Sequence, residues 1–292
     1  MNRTHRITVR GAGALLAAAA VMVPLSVLAP LVVLAPPAAA QPNLQPYQPA
    51  GWVLPIVPRG AADAAWNNVP APTTLPGNVA STYWNESCWN AGTVTTGVAF
   101  HNQLRIDGVP AASYGWPVLP PASYSTHTNG GPLTVRGGRH TFELRVDSGG
   151  AVAESNEADN NLARQWVWTP LTLAAGAEAT REAPPARTGG WESIPAGQDK
   201  YSNCDGLRFT TGSGWNVVFV NGLAADADCD VYLHSPSAGA TSGFAAALAA
   251  SERAAGGLDG VLANGHTVGA QTYDVGVVNY ADAGDYVVGH LA

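Results

Sequence analysis

Lysine is almost absent: Lys200 is the only one in 292 residues. Charged residues make up 12% of the chain, and no basic cluster follows the first ten positions. A surface that grips phosphates needs grouped Lys and Arg, so nucleic-acid binding is excluded. Only three cysteines occur, Cys88, Cys204 and Cys229, and none has the close spacing of a zinc knuckle or a Cys-x-x-Cys redox pair. No Gly-x-Ser-x-Gly, no His-Glu-x-x-His and no phosphate-binding glycine loop is present. The histidines His101, His127, His140, His234, His266 and His290 are scattered. Long amphipathic helical patterns are also missing, which argues against a barrel or doubly wound α/β fold.

What is present begins with a leader. Arg3, Arg6 and Arg10 precede an apolar stretch over 12–35, broken by Pro24 and Pro30 and closed by Ala38-Ala39-Ala40. Basic start, apolar middle and small-residue end are the layout of a secretory signal peptide over residues 1–40, cleaved after Ala40. The competing reading is a retained membrane anchor, since the stretch is long enough to span. No later segment is. Removing three arginines and no acids leaves 11 Lys and Arg against 21 Asp and Glu, a net charge of −10. Residues 171–292 hold 13 of those acids and only 5 bases. That half repels nucleic acid and anionic membrane and attracts cations.

The rest reads as short strands. Phe142, Leu144 and Val146 alternate with Glu143, Arg145 and Asp147, and Val98, Phe100, Leu104 and Ile106 share a parity interrupted by Asn102. Asp107-Gly108 is a hairpin turn signal. Leu162–Trp168, Leu207–Thr210, Trp215–Val220, Asp230–His234, Tyr273–Val277 and Tyr286–Val288 are further strand candidates, and Phe244–Ala255 is the single helix candidate, with a strand interrupted by small residues as the alternative. Residues 58–77 read as a loop. Turn punctuation every 8–12 residues points to an all-β protein of two tandem β-sandwich domains, residues 41–170 and 171–292, joined at 170–173.

Five features are candidates for chemistry. Asp226, Asp228 and Asp230 share one face if the segment is extended, and carboxylates outside the cell suit calcium; the alternative is a solvated acidic strand entry. Cys204 and Cys229, 25 positions apart beside strands, are expected to pair as a disulfide in an exported chain, with two buried thiols as the alternative. That bridge would bring Asp205 to the aspartates. A second polar cluster, Glu154, Asn156, Glu157, Asp159 and Asn160, reads as turn capping, with a metal site as the alternative. Trp166 and Trp168 share a strand face, which is either core or an exposed platform for a glycan or protein. Asn85-Glu86-Ser87 matches a glycosylation acceptor.

Residues 41–170 resemble the CARDB family of secreted bacterial and archaeal immunoglobulin-like modules. Asn43–Pro49 with Trp52 is similar to its first strand, and Asn90-Ala91-Gly92-Thr93 to its Asn-x-Gly turn. Gly138–Asp147 followed by Glu154–Asn161 is similar to its last two strands and the acidic turn between them. Ser148-Gly149-Gly150 departs from the tighter turn of the family. Residues 172–292 more faintly resemble the bacterial pre-peptidase C-terminal sandwich, through Cys204–Phe209, Asp228–Leu233, Tyr273–Val277 and Gly284–Tyr286; a jelly-roll-like sandwich is the expectation. Both likenesses imply an extracellular or cell-surface adhesion or presentation module with no catalytic residues; calcium at the aspartates is the one cofactor expected. A carbohydrate-binding module and the accessory part of a secreted hydrolase are the alternatives.

Overall fold

The computed structural model describes residues 40–62, 74–182, 204–224, 227–236, 247–253, 256–265, 270–281 and 284–292. The leader expected over 1–40 falls outside them except for Ala40. Seventeen strands are found among the described residues. The first sandwich contains β1 (Leu44–Pro46), β2 (Ile56–Arg59), β3 (Val79–Asn90), β4 (Phe100–Ile106), β5 (Val109–Trp116), β6 (Ser123–Val135), β7 (Gly138–Arg145) and β8 (Asn161–Trp168). One sheet centres on β3, which pairs with β1, β2 and β6; the facing sheet runs β8–β7–β4–β5. The expected period of two is realised: Phe142 and Leu144 on β7 and Phe100 and Leu104 on β4 meet Trp84 and Cys88 on β3 in one core. Asp107 and Gly108, both at positive φ, turn β4 into β5 as a two-residue hairpin.

The second sandwich contains β9 (Leu171–Thr172), β10 (Glu178–Glu182), β11 (Cys204–Thr210), β12 (Trp215–Gly222), β13 (Asp228–His234), β14 (Ala249–Ser251), β15 (Leu258–Asn264), β16 (Thr272–Ala281) and β17 (Asp285–Leu291). One sheet runs β10–β17–β12–β15 and the other β14–β13–β16–β11. Leu207, Phe209, Val218, Val220, Val275, Val277, Tyr286 and Val288 fill the space between. The helix expected over Phe244–Ala255 is corrected in its described part, where Ala249–Ser251 is a strand on β13. Small residues cost little in either state; pairing with Val231–Leu233 decides.

The two sandwiches are not separate beads. β7 pairs with β11 through Cys204↔Arg139 and Asp205↔Gly138, so one nine-stranded sheet crosses both. Side chains would prevent this approach. A Cβ on Gly138, whose φ is +117°, would overlap the Cys204 carbonyl, and a Cβ on Gly206 would lie 2.7 Å from the Gly138 backbone. Residues 40–292 accordingly form one compact unit.

Candidate functional site

The junction between the sandwiches gathers the densest buried charge. Asp205, fully buried, follows Cys204 on β11 and points inward with Leu207 and Phe209. Arg181 on β10 donates to it in a fork, from Nε at 2.5 Å and Nη2 at 2.7 Å. The Tyr286 hydroxyl donates at 2.5 Å, and the Arg136 guanidinium stands 3.8 Å away. Burial, with the neighbouring Asp205 carboxylate, raises the Tyr286 pKa well above its ordinary value, so the phenol keeps its proton. Arg181 Nη2 also donates to Asn78 Oδ1 (3.3 Å), and that oxygen accepts the Gly137 N–H (3.3 Å). The network therefore runs from the second sandwich into the first. Close by, His140 Nδ1 lies 2.5 Å from Asp107 Oδ2. Burial alone would lower the His140 pKa, but the Asp107 carboxylate more than offsets this and holds it above the ordinary histidine value. This arrangement is buried and charge-paired; what it does physically is fix one sandwich on the other.

Asp205 is thus committed to arginines and stands apart from the expected ion cluster. Asp228 and Asp230 lie on β13 with parity opposite to the core residues Cys229, Val231 and Leu233, so they point to the other face of the sheet, with β16 between β13 and β11. Asp230 is buried 3.4 Å from the Tyr232 hydroxyl. Asp226 lies outside the described residues. Among the described residues no group of three or more His, Cys, Asp or Glu is placed to hold a metal ion.

The expected Cys204–Cys229 disulfide is also corrected: all three cysteines are free and buried. Cys204 packs with Tyr232 and Val278 on one face, Cys229 in the core on the other, with β16 intervening. Two strand spacings of about 4.8 Å and opposed side chains exceed what a disulfide spans. Burial pushes both thiols up to about 11 and Cys88 up to about 12. None is a thiolate at neutral pH, so none is an activated nucleophile.

Trp166 and Trp168 do share a face, and that face is core: Trp168 is fully buried, stacks on Phe142 at 5.2 Å and donates to Thr82 Oγ1 at 2.9 Å. An exposed platform at these residues is overturned. Asn85 is buried too and accepts the Asn129 N–H at 2.8 Å, which removes it as a glycan acceptor in the folded chain. The 154–160 cluster caps its own turn, as read from the sequence: Glu157 accepts the Glu154 N–H, Asn156 the Ala158 N–H, and Glu154 holds the Leu44 N–H and Asn160. It ties β1 to the β7–β8 connection.

Sequence reasoning missed Glu86. It sits fully buried on β3, where parity places it between Trp84 and Cys88. Trp84 Nε1 donates at 3.1 Å and Asn102 Nδ2 at 3.5 Å, and burial raises its pKa to about 7. The interruption of β4 parity at Asn102 was the available signal that polar groups occupy this part of the core.

These features define an all-β double sandwich whose buried charges are structural. No family model and no curated protein matches the chain. Solved structures similar to parts of it include a domain of a cell surface protein from Methanosarcina acetivorans (19% identity, 44% of this chain and 92% of that one, TM-score 0.32). The CARDB domain of a Pyrococcus furiosus protein, in complex with di-metal ions, is similar at 15% identity (44% and 96%, TM-score 0.32). The pre-peptidase C-terminal domain of collagenase from Bacillus anthracis is similar at 13% (41% and 93%, TM-score 0.28). These are weak, low-identity likenesses and say nothing of activity. No helix among the described residues is long and apolar enough to cross a membrane.

Proposed function

We propose that this chain is an exported, non-catalytic presentation module whose two sandwiches act as one rigid body at or outside the cell surface. The junction carries the reading. Two backbone strands pair across it, glycines allow the contact, and the Asp205–Arg181–Asn78 network crosses it. A hinge between domains is usually a polar linker with few contacts; here the sheet itself continues. The signal-peptide layout of residues 1–40 supports export, and the charge pairing that spans the junction supports a mechanical role. An immunoglobulin-like first sandwich and a jelly-roll-like second belong to the same reading, with 171 as the start of the second.

Scanning calorimetry on residues 41–292 tests it. One transition, with calorimetric and van't Hoff enthalpies equal, is expected. Two transitions, one of them matching isolated residues 41–170, would show independent domains and end the rigid-body reading.

A further inference from the structure

The outer face of the β10–β17–β12–β15 sheet inverts the usual pattern. On β15, Asp259, Val261 and Ala263 turn inward, while Leu258 (54% exposed) and Leu262 (60%) face solvent. Asp259 accepts from Ser251 Oγ at 2.6 Å and from the Arg253 N–H, so its inward position is satisfied. On the neighbouring strands Trp215 (59%) and Leu291 (53%) face the same way. Across β15, β12 and β17 eleven of the twelve outward positions carry no charge, exposed Asp285 at the start of β17 being the exception, in a half-chain with 13 acids and 5 bases.

The floor of this face is built from glycine. Register places Gly260, Phe219, Gly289 and Glu178 in one row across the four strands. A Cβ on Gly289 would overlap the Phe219 ring, so that ring lies down over the glycine rather than standing up from the sheet. A Cβ on Gly260 would have as its three nearest neighbours the Val218 carbonyl and the Phe219 Cα and Cβ, none closer than 3.3 Å, so the Phe219 ring leans to the Gly289 side rather than over Gly260. The result is a shallow apolar trough with Trp215 at one end of β12. Its margins are polar and short: Asn221 and Asn264 at two corners, exposed Thr180 and Glu178 along β10.

Size and charge choose the occupant. Strands lie about 4.8 Å apart and same-face residues about 6.8 Å, so eleven positions cover about 350 Å². A stable second copy needs about 800 Å² per partner. The Glu178 margin and the acidic half-chain disfavour polyanions and anionic lipid. Flat apolar rings edged by amide and carboxylate acceptors suit a ligand with apolar ring faces and hydroxyl edges. We infer that the outer face of β12, β15 and β17 is a binding platform for a neutral polysaccharide, with the Trp215 and Phe219 rings as stacking surfaces. This names a partner for the presentation module above and rests on that reading only for the extracellular setting.

Native affinity electrophoresis of residues 41–292 tests it, in gels containing barley β-glucan, hydroxyethylcellulose or dextran, with alginate as the polyanion. Retardation by at least one neutral glucan and none by alginate is expected. Trp215→Ala and Leu262→Ser, both solvent-facing, should each weaken it about tenfold or more while the melting temperature stays unchanged. Free migration in all three neutral glucans overturns the platform, as does equal retardation by alginate. Sedimentation equilibrium showing a dimer that Trp215→Ala dissolves would assign the face to a second copy instead. Any of these outcomes with a single calorimetric transition leaves the rigid-module reading standing, so the two can fail separately.

Discussion

Replacing Glu86 with Gln should make the protein more stable, and only above acid pH. Glu86 is fully buried within an apolar sandwich, its donors are one indole N–H and one distant amide, and burial raises its pKa from 4.5 to about 7. In the unfolded chain the carboxyl ionises near the ordinary value. Between the two values the native state holds a proton that the unfolded state has released, so stability falls as pH rises through this window and levels off above it. At about 1.4 kcal/mol per pH unit, a shift from 4.5 to about 7 amounts to roughly 3 kcal/mol. Glutamine keeps the shape and an acceptor for Trp84 Nε1 but cannot ionise. Urea unfolding of both proteins from pH 4 to pH 9 should therefore give curves that meet at the acid end and separate by up to about 3 kcal/mol by pH 8, the variant above. Comparing the two proteins subtracts other titrating groups. His140, raised by Asp107, also loses stability as pH rises through its native pKa; His127, lowered by burial, gains it as pH rises through the ordinary range. Parallel curves, or a variant less stable at pH 8, would refute the claim that Glu86 is a desolvated, native-state acid.

Asp205→Ala leaves the Arg181 guanidinium without its fork partner at the junction and should cost about 3–5 kcal/mol, seen as a lower urea midpoint. Trp168→Ala empties a fully buried site and breaks the bond to Thr82, with an expected loss of about 3–5 kcal/mol by the same measurement. The three thiols should be silent to Ellman's reagent in the folded protein at pH 8 and all should react in guanidinium; a count of one after unfolding without reductant would restore the Cys204–Cys229 bridge.

Much of the strand content was legible because burial on one face leaves a period of two in the sequence. Phe142 and Leu144 sit where alternation puts them, and Asp107-Gly108 is the hairpin its composition demands. The sites were less legible because they depend on register and parity across strands distant in sequence. Asp205 and Asp230 carry the same side chain, yet the first points into the second sandwich and the second away from it. The pairing of Cys204 with Cys229 failed for the same reason. Trp166 and Trp168 showed the opposite limit: alternation established that they share a face but not whether a second sheet covers it. Strand β15 hid its orientation altogether. Leu258 and Leu262 look like core, and the inward turn of Asp259 depends on Ser251, which arrives through β14. The junction was invisible for a further reason: its glycines signal close approach of backbone only after β7 and β11 are known to be neighbours.

The β7–β11 pairing joins the two sandwiches into one continuous sheet. The most direct measurement is the distance distribution by double electron–electron resonance between spin labels at Tyr124, on the first sandwich, and Leu262, on the end strand β15 of the second, both exposed. A single narrow distribution that broadens in Asp205→Ala is the predicted result. A broad distribution in the unmutated chain would contradict the account.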